Sequence, residues 1–196
     1  MAKIDIYTSN LEQDRGELLD FLKERALRFG NFTLTSGKTS SYYFDGKQVT
    51  LYPQGAYLLG KIIIHKIRQD NIQALGGLTI GADPIVGAVA ALAYPLELDI
   101  KTFIVRKEAK KHGKQRLIEG PQLSTGDRVV IVEDVVTTGG SSIKAIEAVQ
   151  EAGGEVVKVV PLVDRLEGGT ERIEEMGIQV DPVFTARDFG IEIKKA

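Results

Sequence analysis

Two adjacent carboxylates followed at once by hydroxyl and glycine residues mark the stretch VVIVEDVVTTGGSS, residues 129–142. Glu133 and Asp134 close an apolar run of the kind that forms a buried strand. At a strand end such a pair accepts hydrogen bonds from the vicinal hydroxyls of a ribose or approaches a divalent cation. Thr137, Thr138, Gly139, Gly140 and Ser141 then offer backbone N–H groups unshielded by large side chains, together with hydroxyl donors, at the positive end of a helix. That combination cradles a phosphate, and a ribose 5-phosphate carries diol and monoester together. A plain strand-to-helix turn is the other use of such glycines, and the acidic pair argues against it. The pattern is neither the GxxxxGK loop of nucleotide hydrolysis nor the GxGxxG of dinucleotide binding, so an ATPase or a dehydrogenase would lack its binding loop.

Three further segments carry chemistry. In IVRKEAKKHGKQRLIEG, residues 104–120, the cations Arg106, Lys107, Lys110, Lys111, Lys114 and Arg116 crowd together with His112, and Glu108 is the only acid among them. Such a loop can clamp a pyrophosphate, neutralise charge as it departs, and close over a substrate to exclude water. A solvated charged loop is the plainer alternative. In GGLTIGADP, residues 76–84, small residues ahead of a helix opened by proline let a pyrophosphate approach backbone amides, or simply let elements pack tightly. In FTLTSGKTSSYYFD, residues 32–45, Tyr42, Tyr43 and Phe44 can wall in a flat ring, while Ser36, Gly37 and Lys38 supply polar contacts. Strand alternation sends neighbouring aromatics to opposite sides, so at least one should pack its own small appendage.

The elements that must hold these residues follow from periodicity. Apolar spacing predicts a helix over 11–29 ended by Gly30, a small strand-rich appendage over 32–47, and a helix from Pro53 to about Arg68. Next come a strand over 72–75, a glycine-rich turn, a helix opened by Pro84, a strand over 101–107, a polar loop, and a strand over 128–134. A helix over 141–152, a strand over 155–164 and a short polar helix near 171–176 complete the pattern. Strands apolar on both faces and separated by helices imply a largely parallel, doubly wound α/β sheet, with too few units for an eightfold barrel. Ligands then bind at the carboxyl ends of the strands, where the turns after Leu75, Lys107 and Asp134 fall.

Composition bounds the rest. The chain has 196 residues, is 43% hydrophobic, lacks Cys and Trp, and carries a formal net charge of -2. This suits a single domain spanning 1–196 with residues about 30–50 as an appendage. With no cysteine, disulfides, thiolate nucleophiles and zinc–thiolate sites are excluded. The N-terminal residues carry acids and no long apolar run, and no stretch is long enough for a membrane span, so a cytoplasmic protein is expected. Near-neutral charge argues against nucleic acid as a partner.

Residues 129–141 resemble the phosphoribosyl-pyrophosphate signature of the type I phosphoribosyltransferases, in which the acidic pair binds the ribose hydroxyls and the Thr/Gly turn holds the 5-phosphate. RKEAKKHG with the downstream IEG resembles the catalytic loop of the orotate phosphoribosyltransferases, and residues 32–45 resemble their base-covering hood. The resemblance covers nearly the whole chain. It implies the type I phosphoribosyltransferase fold, with a mostly parallel sheet and a small N-terminal hood. The implied reaction transfers a 5-phosphoribosyl group from phosphoribosyl pyrophosphate to orotate, giving orotidine 5-phosphate and pyrophosphate in pyrimidine synthesis.

The same resemblance implies Arg106, Lys107, Lys110 and His112 as catalytic-loop residues, with Lys110 foremost, and Asp134 beside them. It makes Arg165, in PLVDRLEGG, the arginine that recognises the base edge, with Asp164 orienting it. Asp83 would bind Mg2+ directly or through water, and such pyrophosphate loops sometimes contain a non-proline cis bond. A homodimer that shares the catalytic loop across its interface is implied as well, and no decarboxylase domain is expected after residue 196. The chain departs from the family at Thr35, where a lysine that helps bind orotate and pyrophosphate is frequent; Lys38 is the nearby replacement. The alternatives are transfer to another base, purine or uracil, and a non-catalytic nucleotide-binding regulator of the same fold.

Overall fold

Strands with apolar side chains on both faces build the centre of the computed structural model, which describes residues 10–33, 39–108 and 117–192. Helix α1 (Leu11–Arg25) opens at Asn10, whose side chain accepts hydrogen bonds from Glu12 N and Gln13 N. It is followed by the antiparallel hairpin β1 (Leu27–Thr33) and β2 (Thr39–Phe44), the short helix α2 (Lys47–Thr50), and α3 (Pro53–Ile67), which starts on its proline. Then come β3 (Ala74–Leu78), α4 (Asp83–Ala93), β4 (Lys101–Val105), β5 (Ile118–Glu119), β6 (Arg128–Val136), α5 (Gly140–Glu151), β7 (Glu155–Asp164), α6 (Gly169–Glu174), β8 (Gln179–Val180) and β9 (Phe184–Thr185).

The main sheet runs β5-β4-β3-β6-β7-β8, with β9 also on β7, and only the β4–β5 pair is antiparallel among the described residues. Alternation along β6 divides the core. Val130 and Val132 face α1, α3, α4 and the hairpin, whereas Val129 and Ile131 face α5 and α6. Burial of both faces is what a parallel sheet requires. A buried ion pair, Lys61 Nζ to Asp14 Oδ2 at 2.7 Å, joins α3 to α1, and Arg15 reaches Asp188 at 2.9 Å to fasten α1 to the C-terminal segment. That segment, TARDFGIEI, holds a capping box between Thr185 and Asp188. No helix among the described residues is long and apolar enough to cross a membrane.

Several boundaries differ from those the periodicity predicts. Helix α1 stops at Arg25, not at Gly30. The carbonyl of Ala26 accepts from Asp45 N at 3.0 Å, which draws the chain into the hairpin, and Gly30 lies within β1. Strand β3 covers 74–78 instead of 72–75 and contains Gly76 and Gly77, which glycine content alone assigns to a turn. A Cβ at Gly76 would lie 2.5 Å from the Phe103 ring, and one at Gly77 would lie 2.1 Å from Val132 O. These glycines let strands and side chains approach. Strand β4 ends at Val105, two residues early, because Arg106 N turns to Leu117 O at 2.8 Å and starts the pairing with β5. Strand β6 continues to Val136, since Val135 and Val136 still pair with Val163 and Asp164. Helix α6 begins at Gly169, ahead of the polar residues that suggested it.

Candidate active site

Between β3 and β6 the strand order reverses, one side of the sheet being built backwards through β4 and the other forwards through β7. A crevice opens at such a point beyond the carboxyl ends of the strands, and the predicted turns meet there. Because β6 runs on past them, Glu133 and Asp134 lie inside the strand's last residues rather than at its end. Glu133 is 4% exposed, with Oε1 accepting from Asp134 N at 3.2 Å and Oε2 buried without a hydrogen-bond partner. Asp134 Oδ1 accepts from Val135 N at 2.9 Å, and Oδ2 from Lys47 Nζ at 3.2 Å. Burial, and then the charge of Asp134, push the Glu133 carboxyl well above the usual carboxylate range.

Beyond the pair, Thr137, Thr138, Gly139, Gly140 and Ser141 line a cavity of 460 Å³ that also touches Leu78, Lys107 and Lys144. The turn is fixed by backbone packing. Gly139 has φ +78°, and a Cβ there would lie 2.9 Å from Gly169 O. Gly169 is equally constrained, its Cβ position lying 2.7 Å from Gly139 N, and Arg172 Nη1 donates to Thr138 O at 2.5 Å. Helix α6 thus supports the turn from behind, while the first N–H groups of α5 face the cavity end of the helix, where no intrahelical acceptor exists.

The turn after β3 closes the other wall. Gly81 lies so near the acidic pair that a Cβ would stand 2.4 Å from Asp134 Oδ1 and 2.6 Å from Glu133 Oε1. Thr79 N donates to Val105 O at 2.8 Å, Thr79 Oγ1 donates to Asp83 Oδ2 at 2.7 Å, and the Thr79–Ile80 peptide is cis. Asp83 Oδ1 is buried without a partner, which suits a cation or a water that binds one. No group of three or more His, Cys, Asp or Glu arranged to hold a metal occurs among the described residues.

On the base side, alternation sorts the aromatics. Tyr42 and Phe44 are both 7% exposed, Phe44 against Phe189 at 5.4 Å between ring centroids, whereas Tyr43 is 45% exposed and lies 5.6 Å from Phe32. Arg165 is buried beneath the Tyr42 ring at 4.4 Å, and its Nε donates to Glu167 Oε1 at 2.8 Å. Burial raises the Tyr42 phenol pKa despite the opposing pull of Arg165. Asp164, expected to orient Arg165, accepts from Leu166 N at 2.8 Å and from Thr170 Oγ1 at 2.7 Å, shaping the turn that follows β7. Lys38 lies outside the described residues.

At the basic loop, Arg106 and Lys107 are exposed; Arg106 Nη1 stands 3.6 Å from Glu119 Oε1, and Lys107 borders the cavity. Lys110 and His112 lie outside the described residues. Motif reasoning missed Lys47, whose only sequence signal is its place just after YYFDG. Although burial opposes its charge, hydrogen bonds and attraction from Asp45 and Asp134 raise its pKa.

Comparison with known proteins agrees with this arrangement. The family profile for the phosphoribosyl transferase domain matches residues 47–184. The orotate phosphoribosyltransferase of Nostoc sp. is 46% identical over 190 residues, covering 96% of this chain and 92% of that protein. A crystal structure of the Mycobacterium tuberculosis orotate phosphoribosyltransferase in complex with Fe(III) dicitrate superposes with a TM-score of 0.78 at 40% identity, covering 91% of this chain and 99% of the other. The same enzyme in complex with 5-phospho-α-D-ribosyl 1-diphosphate gives 0.76 at 36% identity with the same coverage. On its sheet, its turns and these relatives, the chain belongs to the type I phosphoribosyltransferases, within the orotate phosphoribosyltransferase family.

Proposed function

We propose that this chain transfers the 5-phosphoribosyl group of phosphoribosyl pyrophosphate to N1 of orotate, releasing pyrophosphate and forming orotidine 5-phosphate. The observation that carries this reading is the junction of the acidic pair, the Thr/Gly turn and Gly81 around one crevice. The turn receives the 5-phosphate and the carboxylates receive the ribose hydroxyls. The 79–83 backbone then receives the pyrophosphate, and the charge of the 106–116 cations neutralises it. Orotate is already anionic and its ring nitrogen weakly acidic, so alignment and stabilisation of a cationic ribosyl centre beside a departing polyanion carry most of the work. Lys110 is the principal group beside the leaving pyrophosphate, supported by Arg106, Lys107 and His112.

Asp83, whose buried Oδ1 has no protein partner, would hold a Mg2+ ion directly or through water. Bound there, Mg2+ supplies neutralisation of the pyrophosphate charge. Tyr42 and Tyr43 on the hood, with Lys38, bound the orotate site. Arg165, beneath the Tyr42 ring, is the arginine that recognises the base edge. The chain forms one domain over 1–196, with residues about 30–50 as the hood.

A magnesium-dependent spectrophotometric assay with phosphoribosyl pyrophosphate and orotate, run beside uracil, adenine and hypoxanthine, tests the reading. Turnover selective for orotate is expected, and turnover confined to another base would overturn the assignment of the base pocket. For a homodimer with a shared catalytic loop, mixing Lys110→Ala with Asp134→Asn should, after subunit exchange, give turnover at low donor concentration above the mean of the two variants alone. A mixture that stays at that mean after verified exchange would refute sharing.

A further inference from the structure

One side chain joins the hood to the donor carboxylates. Lys47 Nζ stands 3.0 Å from Asp45 Oδ1 and 3.2 Å from Asp134 Oδ2, and it is the cation paired with Asp134 among the described residues. Its backbone is equally tied down. Lys47 N donates to Asp45 Oδ1 at 3.2 Å, Gln48 Nε2 donates to Asp45 Oδ2 at 3.2 Å, and Asp45 N is bonded to Ala26 O at the base of the hairpin. A Cβ on Gly46 would be in ordinary van der Waals contact with Asp134, 3.4 Å from its Cβ. The segment that leaves β2 therefore lies alongside Asp134, and Lys47 is the polar link between them.

Asp134 has one oxygen fixed by Val135 N and the other by Lys47. A carboxylate held at both oxygens cannot swing freely, whereas one held at a single oxygen can rotate about χ2, which is broad for Asp. Among the described residues, loss of Lys47 would also leave Asp134 beside Glu133 with no paired cation.

Resting on the reading of this crevice as a donor-sugar site, we infer that Lys47 is a positioning residue for phosphoribosyl pyrophosphate. By bridging Asp45 and Asp134 it holds the Asp134 carboxylate oriented toward the ribose hydroxyls. Lys47 acts through Asp134 and does not itself contact reacting atoms.

The test compares wild type, Lys47→Met, Lys47→Arg, Asp134→Asn and the double variant Lys47→Met with Asp134→Asn. Donor affinity is read by calorimetric titration with phosphoribosyl pyrophosphate and Mg2+, and the Michaelis constants for donor and orotate are measured beside it. Lys47→Met should weaken donor binding on the order of tenfold, the size expected for one hydrogen bond to a charged group, and leave the orotate Michaelis constant within about twofold. Lys47→Arg should recover most of the loss. The double variant should bind donor no worse than Asp134→Asn alone, because the lysine works through that carboxylate.

Unchanged or tighter donor binding in Lys47→Met would overturn the inference, as would additive losses in the double variant. Should Lys47→Met fail to fold by circular dichroism, the Arg variant and Lys47→Gln carry the same comparison. A wild type that binds donor yet converts no base would defeat the proposed reaction while leaving the lysine's role to the binding data. A wild type that fails to bind donor at all would defeat both.

Discussion

The two walls of the crevice are made by different means. On the donor wall, backbone geometry sets most positions: Gly139 at positive φ, Gly169 against Gly139 N, Gly81 against the acidic pair, and carboxylates tethered to main-chain N–H groups, with the Lys47 side chain as a further hold on Asp134. On the base wall, side chains meet side chains, with the Tyr42 ring over Arg165, Glu167 beneath it, and Phe44 on Phe189. Backbone contacts have almost no freedom to relax, and ring or guanidinium contacts can repack. The donor wall should therefore respond sharply to single atoms, while the base wall tolerates change and shifts specificity.

The most severe challenge to that contrast is Gly81→Ala. Its methyl would occupy space within 2.6 Å of both carboxylates, so kcat/KM for the donor should fall on the order of a hundredfold, equivalent to two hydrogen bonds to a charged pair. Steady-state kinetics at saturating orotate measure it, and a loss below threefold would show that the wall relaxes after all. Asp134→Asn retains shape and removes charge, so the donor Michaelis constant should rise about tenfold with thermal stability nearly unchanged. Unchanged donor kinetics would contradict the ribose contact. Tyr42→Leu should raise the orotate Michaelis constant about three- to tenfold through loss of the ring over Arg165 and leave the donor constant alone. An equal rise for both substrates would erase the distinction between the walls.

The smallest kinetic effect belongs to the opposite end of the sheet. A hydrogen bond from Lys101, at 2.7 Å, and one from Ser124 N hold the Asp127 carboxyl below its usual range. A depressed carboxyl contributes stability above its unfolded pKa and loses it as pH falls through the folded one. Asp127→Asn should thus lower the melting temperature at neutral pH by about 2–4 °C, narrow the gap to wild type as the pH falls below about 4, and leave kcat and both Michaelis constants unchanged. Thermal scans across pH check the first two expectations, and a kinetic defect would show that the two ends of the sheet communicate.

The contrast between the walls also explains what could be read from the chain alone. The β6–α5 turn was legible because its function is written in consecutive residue types: carboxylates, hydroxyls, and glycines that expose N–H groups. Strand β7, with its bounds at Glu155 and Asp164, followed from an apolar run broken only by Lys158. Gly76 and Gly77 misled because glycine serves turns and close packing alike, and only Phe103 and Val132, brought alongside by the sheet, distinguish the two. Lys47 was invisible because its partner lies 87 residues away and its helix of four residues has no periodicity to detect. Glu167 under Arg165 was missed for a related reason, since a surface-like acid two residues on becomes a partner only when a turn folds it back.

The pairing of Val105 with Ile118 has a further meaning for how this fold diversifies. The basic segment departs from the sheet and returns to it at one place, locked by a single antiparallel pair of short strands at the margin. Once its ends are joined there, lengthening the segment costs little: each doubling adds only about 0.6 kcal/mol of closure entropy. Changes in length between 106 and 117 are therefore ones that this architecture absorbs cheaply, leaving the crevice walls in register.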